Sequence, residues 1–445
     1  MPILNPPAFA AHDPRDLHGL LVDELAQLRQ TGHVVDEAEA ELLRIAPGDV
    51  AALERLFDQL GDCRQADWGY EEPQAPTDVL SLLPSRAWGF VGSERELRDK
   101  VLGAWLGRIA ACNLGKPIEL GTHWTRARIE AYLRLAGAYP LEDYVPMLEP
   151  PPPGFALRDC WPETTRGRVS GSARDDDIDY TILGLHLLER RGVSFTTEDV
   201  GSVWLDLLPF NQVYTAERVV YANLVRGLPL PAATTFRNPY REWIGALIRA
   251  DIFGYVMPGD PTAAARLAVV DASLSHRANG IYGEVWAAAL VASAFSANSV
   301  REAVEVAMEY IPPRSRLWHS VTAVLADFDS GLTWEECLAA NDKRWDKYSW
   351  VHTVNNAAVI TAGLLYGDGD FARTVGLTVQ GGLDTDSNGA TAGSVAGVLT
   401  GAKALPARFI EPLEDVVRSA VFGFDRSRIS HLAERTVSLY YRCHR

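Results

Sequence analysis

Apolar residues recur at helical spacing along most of the chain. Near the N-terminus one stripe contains Leu17, Leu20, Leu21, Leu25 and Leu28, and a second contains Val50, Leu53, Leu56, Phe57 and Leu60. Later segments such as GEVWAAALVASAFSA and NNAAVITAGLLYG are rich in alanine and leucine, which favour helices. The alternation and the hairpin turns that mark β-strands are nearly absent. The pattern therefore predicts an all-α protein with a compact multi-helix body.

A change in composition divides the chain near residue 92. Residues 62–90 are rich in aromatic residues and proline, which is typical of an ordered connector rather than of a flexible linker. Directly afterwards Ser93 and Glu96 form a capping-box pattern, which predicts a long helix ending near Gly115. We therefore predict an N-terminal helical extension and connector over residues 1–92 and a main domain over residues 93–445.

Two predicted helices carry small residues at every fourth position. One stripe contains Gly103, Gly107, Ala111 and Gly115, and the other contains Gly389, Gly393, Gly397 and Gly401. Positions four apart share one face of a helix. Each glycine costs a helix roughly 0.5–1 kcal/mol relative to alanine, so we expect each stripe to pack against another backbone. The two stripes need not be each other's partners.

Acidic residues concentrate at two predicted helix starts that are about two hundred residues apart. The segment RDDDIDYT contains Asp175, Asp176, Asp177 and Asp179, and the segment LDTDSN contains Asp384, Asp386 and Ser387. One aspartate suffices to cap a helix and to complement its dipole. Adjacent carboxylates repel one another, and their accumulation indicates a bound cation. Oxygen ligands favour Mg²⁺, Mn²⁺ or Ca²⁺ over zinc.

The composition narrows the class of protein further. With 42 Lys and Arg against 58 Asp and Glu, the net charge of −16 argues against a nucleic-acid-binding protein, which normally presents a basic face. The five cysteines are scattered and lack metal-binding spacing, so we expect reduced thiols. We find no export signal and no apolar segment of membrane-spanning length. We therefore expect a cytoplasmic protein that does not bind membranes.

Motifs of several common enzyme classes are missing from the chain. It contains no P-loop, no G-x-S-x-G sequence and no H-E-x-x-H sequence. A predicted loop contains His276, and Gly280 beside it would allow backbone to approach a ligand. A lone histidine in a loop is more often incidental than functional. We nevertheless predict that His276, Gly280 and Gly382 contact the substrate.

Three segments of the chain resemble the ADP-ribosylglycohydrolase family. They are GAWLGRIAACNLGKPIE, RDDDIDYT and GGLDTDSNGATAGSVAGVLTG, and the last is the most specific because the family typically has G-G-D-T-D followed by small residues. The resemblance covers about residues 94 to 445. It implies an all-α hydrolase with two Mg²⁺ or Mn²⁺ ions that cleaves ADP-ribose from proteins or small acceptors. Residues 93–445 are accordingly predicted to be a catalytic domain of this kind.

The same resemblance assigns roles to individual residues of the last and the first of these segments. Asp384, Asp386 and Ser387 match the positions of metal ligands, and Glu119 matches an acid beside the metal site. The additional Leu383 in GGLDTDS is a small departure from the family pattern.

The first acidic segment departs further from the family, which usually has Thr-Asp-Asp-Thr there. Aligned on the helix that follows, Asp176 and Asp177 match the two aspartates, while a shift of one residue would pair Asp175 and Asp176 instead. We therefore predict Asp175, Asp176 and Asp177 as metal ligands. We also predict that Glu119 and Asp177 are catalytic.

The leading interpretation is a metal-dependent hydrolase that cleaves the glycosidic bond at C1 of a ribose, with an ADP-ribosyl group as substrate. Bound ions would hold ribose hydroxyls and orient a water while a carboxylate assists proton transfer. The altered first cluster leaves open an N-glycosidase acting on a small nucleoside or ribosylated metabolite. A non-catalytic ADP-ribose-binding relative is a third reading, which the retained acidic clusters disfavour.

Overall fold

Helices make up almost all of the regular structure. The computed structural model describes residues 16–66, 68–85 and 89–444, and the N-terminal segment in which we sought an export signal lies largely outside these ranges. The helices are α1 (Leu17–Gln30), α2 (Asp36–Leu42), α3 (Val50–Gln59), α4 (Pro76–Leu82), α5 (Glu94–Gly115), α6 (Arg126–Leu135), α7 (Trp161–Thr164), α8 (Asp176–Arg191), α9 (Thr197–Leu207), α10 (Thr215–Val225), α11 (Ala232–Thr235), α12 (Asp251–Val256), α13 (Pro261–Ala272), α14 (Asn279–Ala294), α15 (Val300–Met308), α16 (Arg316–Asp329), α17 (Trp334–Arg344), α18 (Thr353–Gly367), α19 (Phe371–Gln380), α20 (Thr385–Thr400), α21 (Ala407–Ile410) and α22 (Ile429–Cys443).

Short elements complete the described part of the chain. Single 3₁₀ turns occur at Leu60–Asp62, Lys116–Ile118, Gly192–Ser194, Phe210–Gln212, Leu247–Arg249, Ala402–Ala404 and Glu411–Leu413. The described residues also contain two short strands, β1 (Val416–Val417) and β2 (Ser427–Arg428), which pair antiparallel. The all-α prediction is therefore confirmed. None of the helices in the described ranges combines the length and the apolar character that crossing a bilayer requires.

The N-terminal extension is a small helical unit that packs on the rest of the chain. Helices α1 to α3 share a core of apolar side chains, namely Leu21, Leu25, Leu28, Val35, Leu42, Leu53, Leu56 and Leu60. A separate apolar contact joins Leu20 to Tyr240 and Trp243. Beside it the Arg241 guanidinium donates hydrogen bonds of 2.7 and 2.8 Å to the Glu24 carboxylate. The division near residue 92 remains a prediction, because the extension has its own core and also buries surface against the main body.

Helix α14 lies in the centre of the main body. All 16 of its residues are buried, and it packs against α12, α13 and α15. Its sequence is mostly alanine and larger apolar residues, so it presents no polar stripe to solvent. A helix that is apolar on nearly every side is stable in water only when other helices cover it.

Helices α5 and α20 pack backbone to backbone along their glycine stripes. A Cβ atom added at Gly389 would lie 2.6 Å from the carbonyl oxygen of Ala111, which is too close for a real side chain. The approach is closer still where glycines oppose each other, at Gly103 with Gly397 and at Gly107 with Gly393. The predicted close packing is therefore present, and the two stripes are each other's partners. Gly401 falls outside the stripe, because α20 ends at Thr400 and Gly401 has a positive φ of 74°.

The far end of this helix pair brings the end of α5 to the start of α20. The Thr385 hydroxyl donates a 2.9 Å hydrogen bond to the carbonyl oxygen of Gly115. The 3₁₀ turn Lys116–Ile118 follows Gly115 directly, and Glu119 follows that turn. Gly115 and Thr385 are 270 positions apart in sequence, and this hydrogen bond places their two motifs next to each other.

Candidate metal centre

Two of the acids at the start of helix α8, Asp175 and Asp179, are held by contacts within the protein. Asp175 is the N-cap, and its Oδ1 atom accepts a 3.0 Å hydrogen bond from the backbone N–H of Asp177. Asp179 lies one turn further along and accepts from the Ser419 hydroxyl at 2.6 Å and from the backbone N–H of Ala420 at 2.9 Å. An ion pair with Arg174 completes its environment. Asp179 is therefore a structural acid, whereas Asp175 and Asp177 lie among the possible metal ligands.

Helix α20 begins with acids that the chain satisfies less completely. Asp384 is the N-cap, but within the described residues its side chain accepts no capping hydrogen bond. The Asn356 side-chain oxygen accepts from the backbone N–H of Asp384 at 3.2 Å and from the Asn388 side chain at 2.7 Å, which fixes the start of the helix. Asp386 accepts a 3.0 Å hydrogen bond from the backbone N–H of Ser387. Asp384 therefore does not cap α20 through its side chain, although an aspartate at this position often does so.

The two helix starts meet in one buried cluster. The Ser387 hydroxyl of α20 donates a 3.1 Å hydrogen bond to Oδ2 of Asp177 in α8. Asp177, Asp384 and Asp386 are 2%, 6% and 3% exposed, so the carboxylates are largely removed from water. The sequence-predicted residues Asp175, Asp177, Asp384, Asp386, Ser387 and Glu119 are therefore all brought into one region. Asp176 lies at the same helix start and is partly exposed.

Among the described residues of this region, Cys, Asp and Glu side chains form two groups that could hold a metal ion. In the first, one atom each from Cys112, Asp175 and Asp177 lie within 4.8 Å of one another. In the second, one carboxylate oxygen each from Glu119, Asp384 and Asp386 lie within the same distance of one another. The first group is fully buried and mixes sulfur with oxygen, whereas the second contains only oxygen ligands and includes the partly exposed Glu119. We call them the first and the second ligand group.

Two cations of the chain enter the cluster, and sequence reasoning did not identify either as part of the site. The Lys116 ammonium forms an ion pair with Oδ2 of Asp175, and the Arg158 guanidinium forms one with Glu119. Lys116 lies within a motif segment, but nothing in that segment indicates which acid its side chain reaches. Arg158 comes from a long irregular stretch, and the hydrogen bond of its backbone N–H to the carbonyl oxygen of Pro117, at 2.9 Å, holds it there.

A third cation, the Arg108 guanidinium, contacts Asp177. Arg108 is 0% exposed and donates hydrogen bonds to the backbone oxygen of Asp177 at 2.9 Å and to the Thr181 hydroxyl at 2.8 Å. One of its nitrogens lies 3.7 Å from Oδ1 of Asp177, and another lies 2.9 Å from the Asp251 carboxylate. Among the described residues that Oδ1 atom has no hydrogen-bond partner. Arg108 therefore supplies positive charge to a buried carboxylate oxygen that accepts no hydrogen bond.

Burial and mutual repulsion shape the electrostatics of the acids. Burial, reinforced by neighbouring carboxylates, raises the pKa of Asp177 and Asp384 well above its ordinary value and raises the pKa of Asp386 as well. The same causes raise the pKa of Asp176 to about 7. Burial opposes ionisation of Asp175 too, but the Lys116 ammonium outweighs it and holds the pKa of Asp175 below its ordinary value. Without an added cation, the positive charge of the protein is too small to favour the ionised form of most of these carboxylates.

The predicted substrate-binding residues lie in two different places. His276 is 0% exposed, and its Nδ1 atom lies 2.8 Å from the Ser275 hydroxyl. A Cβ atom added at Gly280 would lie 2.8 Å from a carbon of the His276 ring, so this glycine accommodates protein rather than ligand. Gly382 has a positive φ of 77° in the loop that leads to Asp384. Substrate contact by His276 and Gly280 therefore stays a prediction that their burial does not favour.

Burial also determines the protonation states of His276 and Cys112. Burial, with Arg249 nearby, lowers the pKa of His276 well below its ordinary value, so the ring is neutral. Burial and the adjacent carboxylates raise the pKa of Cys112 well above its ordinary value, so its thiol is protonated. All five cysteines, each within the described ranges, are free thiols as predicted.

Comparisons with known proteins identify the family of the chain. Residues 93–445 match the sequence profile of the ADP-ribosylglycohydrolases. Among solved structures, an ADP-ribosylglycohydrolase-related protein complex is similar to the chain, with 18% identity, coverage of 78% of this chain and 99% of that chain, and a TM-score of 0.43. No curated relative matches the chain. Because the profile spans well over half of its length, the chain belongs to the ADP-ribosylglycohydrolase family.

Proposed function

We propose that the protein is a Mg²⁺- or Mn²⁺-dependent hydrolase that cleaves the glycosidic bond at C1 of a ribose, and that its substrate is an ADP-ribosyl group on a protein or a small acceptor. The family is metal-dependent in general and acts on ADP-ribosylated substrates. The observation that carries the proposal is the closeness of three carboxylates from distant parts of the sequence. One oxygen each of Glu119, Asp384 and Asp386 lies within 4.8 Å of the other two.

The residues present fit a hard divalent cation. Mg²⁺ and Mn²⁺ prefer carboxylate and other oxygen ligands, and the second ligand group offers only these. The raised pKa values of Asp384 and Asp386 report carboxylates that repel one another in a buried place. An added cation would remove that repulsion, because it favours the ionised form of every nearby acid.

The chain's own residues support hydrolysis at a glycosidic carbon. A bound divalent ion would supply Lewis acidity and an ordered water. Glu119 is the predicted catalytic acid that solvent reaches, since its side chain is 19% exposed whereas Asp177 is 2% exposed. Glu119 can exchange a proton with the attacking water or the leaving group, and Arg158 holds its carboxylate in position. The surrounding negative charge stabilises the oxocarbenium-like character that such reactions develop at C1.

A second substrate class follows from the first acidic cluster. Asp175 there is engaged by Lys116 rather than left open, so the part of the site nearest α8 differs from the usual family pattern. This difference favours, as the alternative, an N-glycosidase that acts on a small nucleoside or ribosylated metabolite. The chemistry at C1 is the same in both cases, and the leaving group differs.

The test is a substrate panel measured with Mg²⁺ or Mn²⁺ and again with EDTA. It contains ADP-ribosylated peptides, small ADP-ribose derivatives and free nucleosides. We expect metal-dependent release of ADP-ribose, and we expect Glu119→Gln to lower turnover and to weaken metal binding, because Glu119 belongs to the second ligand group. Release of base from nucleosides alone would establish the alternative substrate class. Tight binding of ADP-ribose without turnover of any member of the panel would contradict the proposed hydrolase.

A further inference from the structure

The two ligand groups differ in how fully the chain has already neutralised them. The first ligand group contains two carboxylates, Asp175 and Asp177. Lys116 pairs with Asp175, and Arg108 lies 3.7 Å from Asp177 while also pairing with Asp251. The acids of this group therefore each face a buried or nearly buried cation of the protein.

The second ligand group keeps an excess of negative charge. It contains three carboxylates, Glu119, Asp384 and Asp386. Among the described residues, the ion pair that reaches them is the one between Arg158 and Glu119. Two carboxylates consequently remain without a direct ion-pair partner, and this is the charge that one divalent cation neutralises.

Lys116 is held in its place by the packing of the two glycine-striped helices. It follows Gly115 directly, and an added Cβ at Gly115 would collide with the backbone at Thr385 and Asp386. The Thr385 hydroxyl also bonds to the carbonyl oxygen of Gly115 at 2.9 Å. Because the backbone at Gly115 is fixed against α20, the Lys116 ammonium is delivered to the gap between the two helix starts. Its side chain is 13% exposed, so it has little room to leave toward solvent.

The ligand atoms of the first ligand group also disfavour a second hard divalent ion. Its third member is the thiol of Cys112, a soft ligand that hard cations such as Mg²⁺ and Mn²⁺ do not select. A lysine ammonium is a compact point charge with three donors, and it satisfies carboxylate oxygens without needing octahedral geometry. A second divalent ion at the first ligand group would therefore depend on its two carboxylates, and Lys116 already occupies one of them.

We propose that this protein binds one divalent cation, at Glu119, Asp384 and Asp386, and that the Lys116 ammonium takes the position of a second ion beside Asp175. The inference rests on the proposed metal-dependent function and deepens it. It also departs from the two Mg²⁺ or Mn²⁺ ions that the family resemblance implies. An ammonium supplies positive charge and hydrogen bonds at that position, but it offers no open coordination site for substrate oxygens.

The test counts Mn²⁺ ions per chain rather than measuring activity. The metal-free full-length protein is titrated with Mn²⁺, bound ion is quantified by equilibrium dialysis, and the electron paramagnetic resonance spectrum reports whether bound ions are magnetically coupled. The variant is Lys116→Met, which keeps the length of the side chain and removes its charge. The matched control is Lys100→Met, which removes a half-buried lysine from α5, the helix that precedes Lys116; Lys100 donates to the carbonyl oxygen of Phe295.

We expect one uncoupled Mn²⁺ per chain in the wild-type protein and in Lys100→Met, and two coupled ions in Lys116→Met. Two ions in the wild-type protein would overturn the inference and leave the proposed function intact. One ion in a folded Lys116→Met protein would overturn the assignment to Lys116. Binding of no ion by the wild-type protein would contradict the proposed metal-dependent function as well. If Lys116→Met does not fold, the wild-type count still decides the number of ions.

Discussion

Helices α8 and α20 both begin with a run of acids, yet the chain treats the two runs differently. In α8, Asp175 caps the helix and pairs with Lys116, and Asp179 is held by Arg174, Ser419 and Ala420. These contacts pair two of the four acids at the start of α8 with cations and hydrogen-bond donors of the protein.

In α20 the N-cap aspartate makes no capping hydrogen bond within the described residues, and its neighbour Asp386 lies in the same ligand group as Glu119. An acidic helix start is therefore weak evidence for a metal by itself. What distinguishes the two starts is whether cations and donors of the chain already satisfy the carboxylates. The contrast predicts that substitutions in α20 affect ion binding, whereas a matched substitution in α8 affects folding.

The largest effect should come from Asp386→Asn. Removing a carboxylate from the second ligand group should lower turnover by more than roughly the 100-fold that loss of a supporting residue around a metal costs. The metal-free variant should melt at the same temperature as wild type or higher, because one source of repulsion is gone. Steady-state kinetics and calorimetry measure the two quantities.

Asp179→Asn in α8 is the matched control for that substitution. It should lower the free energy of unfolding by about 1–3 kcal/mol, because buried donors lose a charged acceptor. It should leave the Mn²⁺ affinity of the folded protein nearly unchanged. If Asp386→Asn had normal turnover, or if both variants lost ion binding equally, the distinction between the two helix starts would be wrong.

A stability effect of similar importance is expected from Gly393→Leu. The new side chain would collide with the backbone of α5 at Gly107, and such overpacking costs about 1–3 kcal/mol or more. Tilting α20 to relieve the collision would also move Asp384 and Asp386, so metal affinity should fall in whatever protein folds. Thermal unfolding and Mn²⁺ titration test both.

The control for the packing variant is Gly48→Leu, since an added Cβ at Gly48 meets no atom within 4 Å. We expect soluble yield and melting temperature close to wild type for this variant. Equal melting temperatures for Gly393→Leu and wild type would show that α5 does not hold the start of α20.

Removal of divalent ions should have a moderate effect on the intact protein. An ion present at 100 times its dissociation constant stabilises the folded state by about 2.7 kcal/mol, because it binds the folded site alone. EDTA should therefore lower the melting temperature, and Mg²⁺ or Mn²⁺ should restore it. Asp386→Asn should respond much less to either treatment, and an equal response in the two proteins would place the stabilising ion elsewhere.

The smallest effect should come from a residue that supports α20 without touching an ion. Asn356→Ala removes the oxygen that accepts from Asp384 and Asn388. We expect Mn²⁺ affinity to fall roughly 10- to 100-fold, the usual cost of losing an outer partner of a metal site. Asn355→Ala is the neighbouring control, because the Asn355 side chain bonds to Ser349 and to the backbone of Asn356 rather than to α20. Equal losses in the two variants would show a general packing effect.

Much of the fold could be predicted from local sequence. The period of apolar residues predicts helices, and the fourfold spacing of glycines predicts a face that another backbone approaches. The spacing could not identify the partner, because both stripes have the same period and only the folded chain sets Gly103 against Gly397. Capping patterns were similarly informative at Ser93, which accepts from the backbone N–H of Glu96. At Asp384 the position before the helix is occupied by an aspartate, but its side chain makes no capping hydrogen bond within the described residues.

The site was predictable as a set of acids but not as a charge balance. The carboxylates are close together in the sequence, whereas the lysine and arginine side chains that pair with them come from other segments of the chain. Lys116 reaches Asp175 across 59 residues, and Arg158 reaches Glu119 from an irregular segment. Asn356 lies inside a helix with no local feature that sets it apart from Asn355. His276 shows the converse, since its loop position suggested access to ligand but tertiary packing buried it completely.

The most direct measurement is the anomalous scattering of Mn²⁺ in crystals of the full-length protein. We expect a strong anomalous peak between the carboxylates of Glu119, Asp384 and Asp386, with Lys116 Nζ still beside Asp175. The same crystals of Asp386→Asn should lose that peak or show it greatly weakened. A wild-type crystal saturated with Mn²⁺ that shows no peak at these three carboxylates would contradict the central claim.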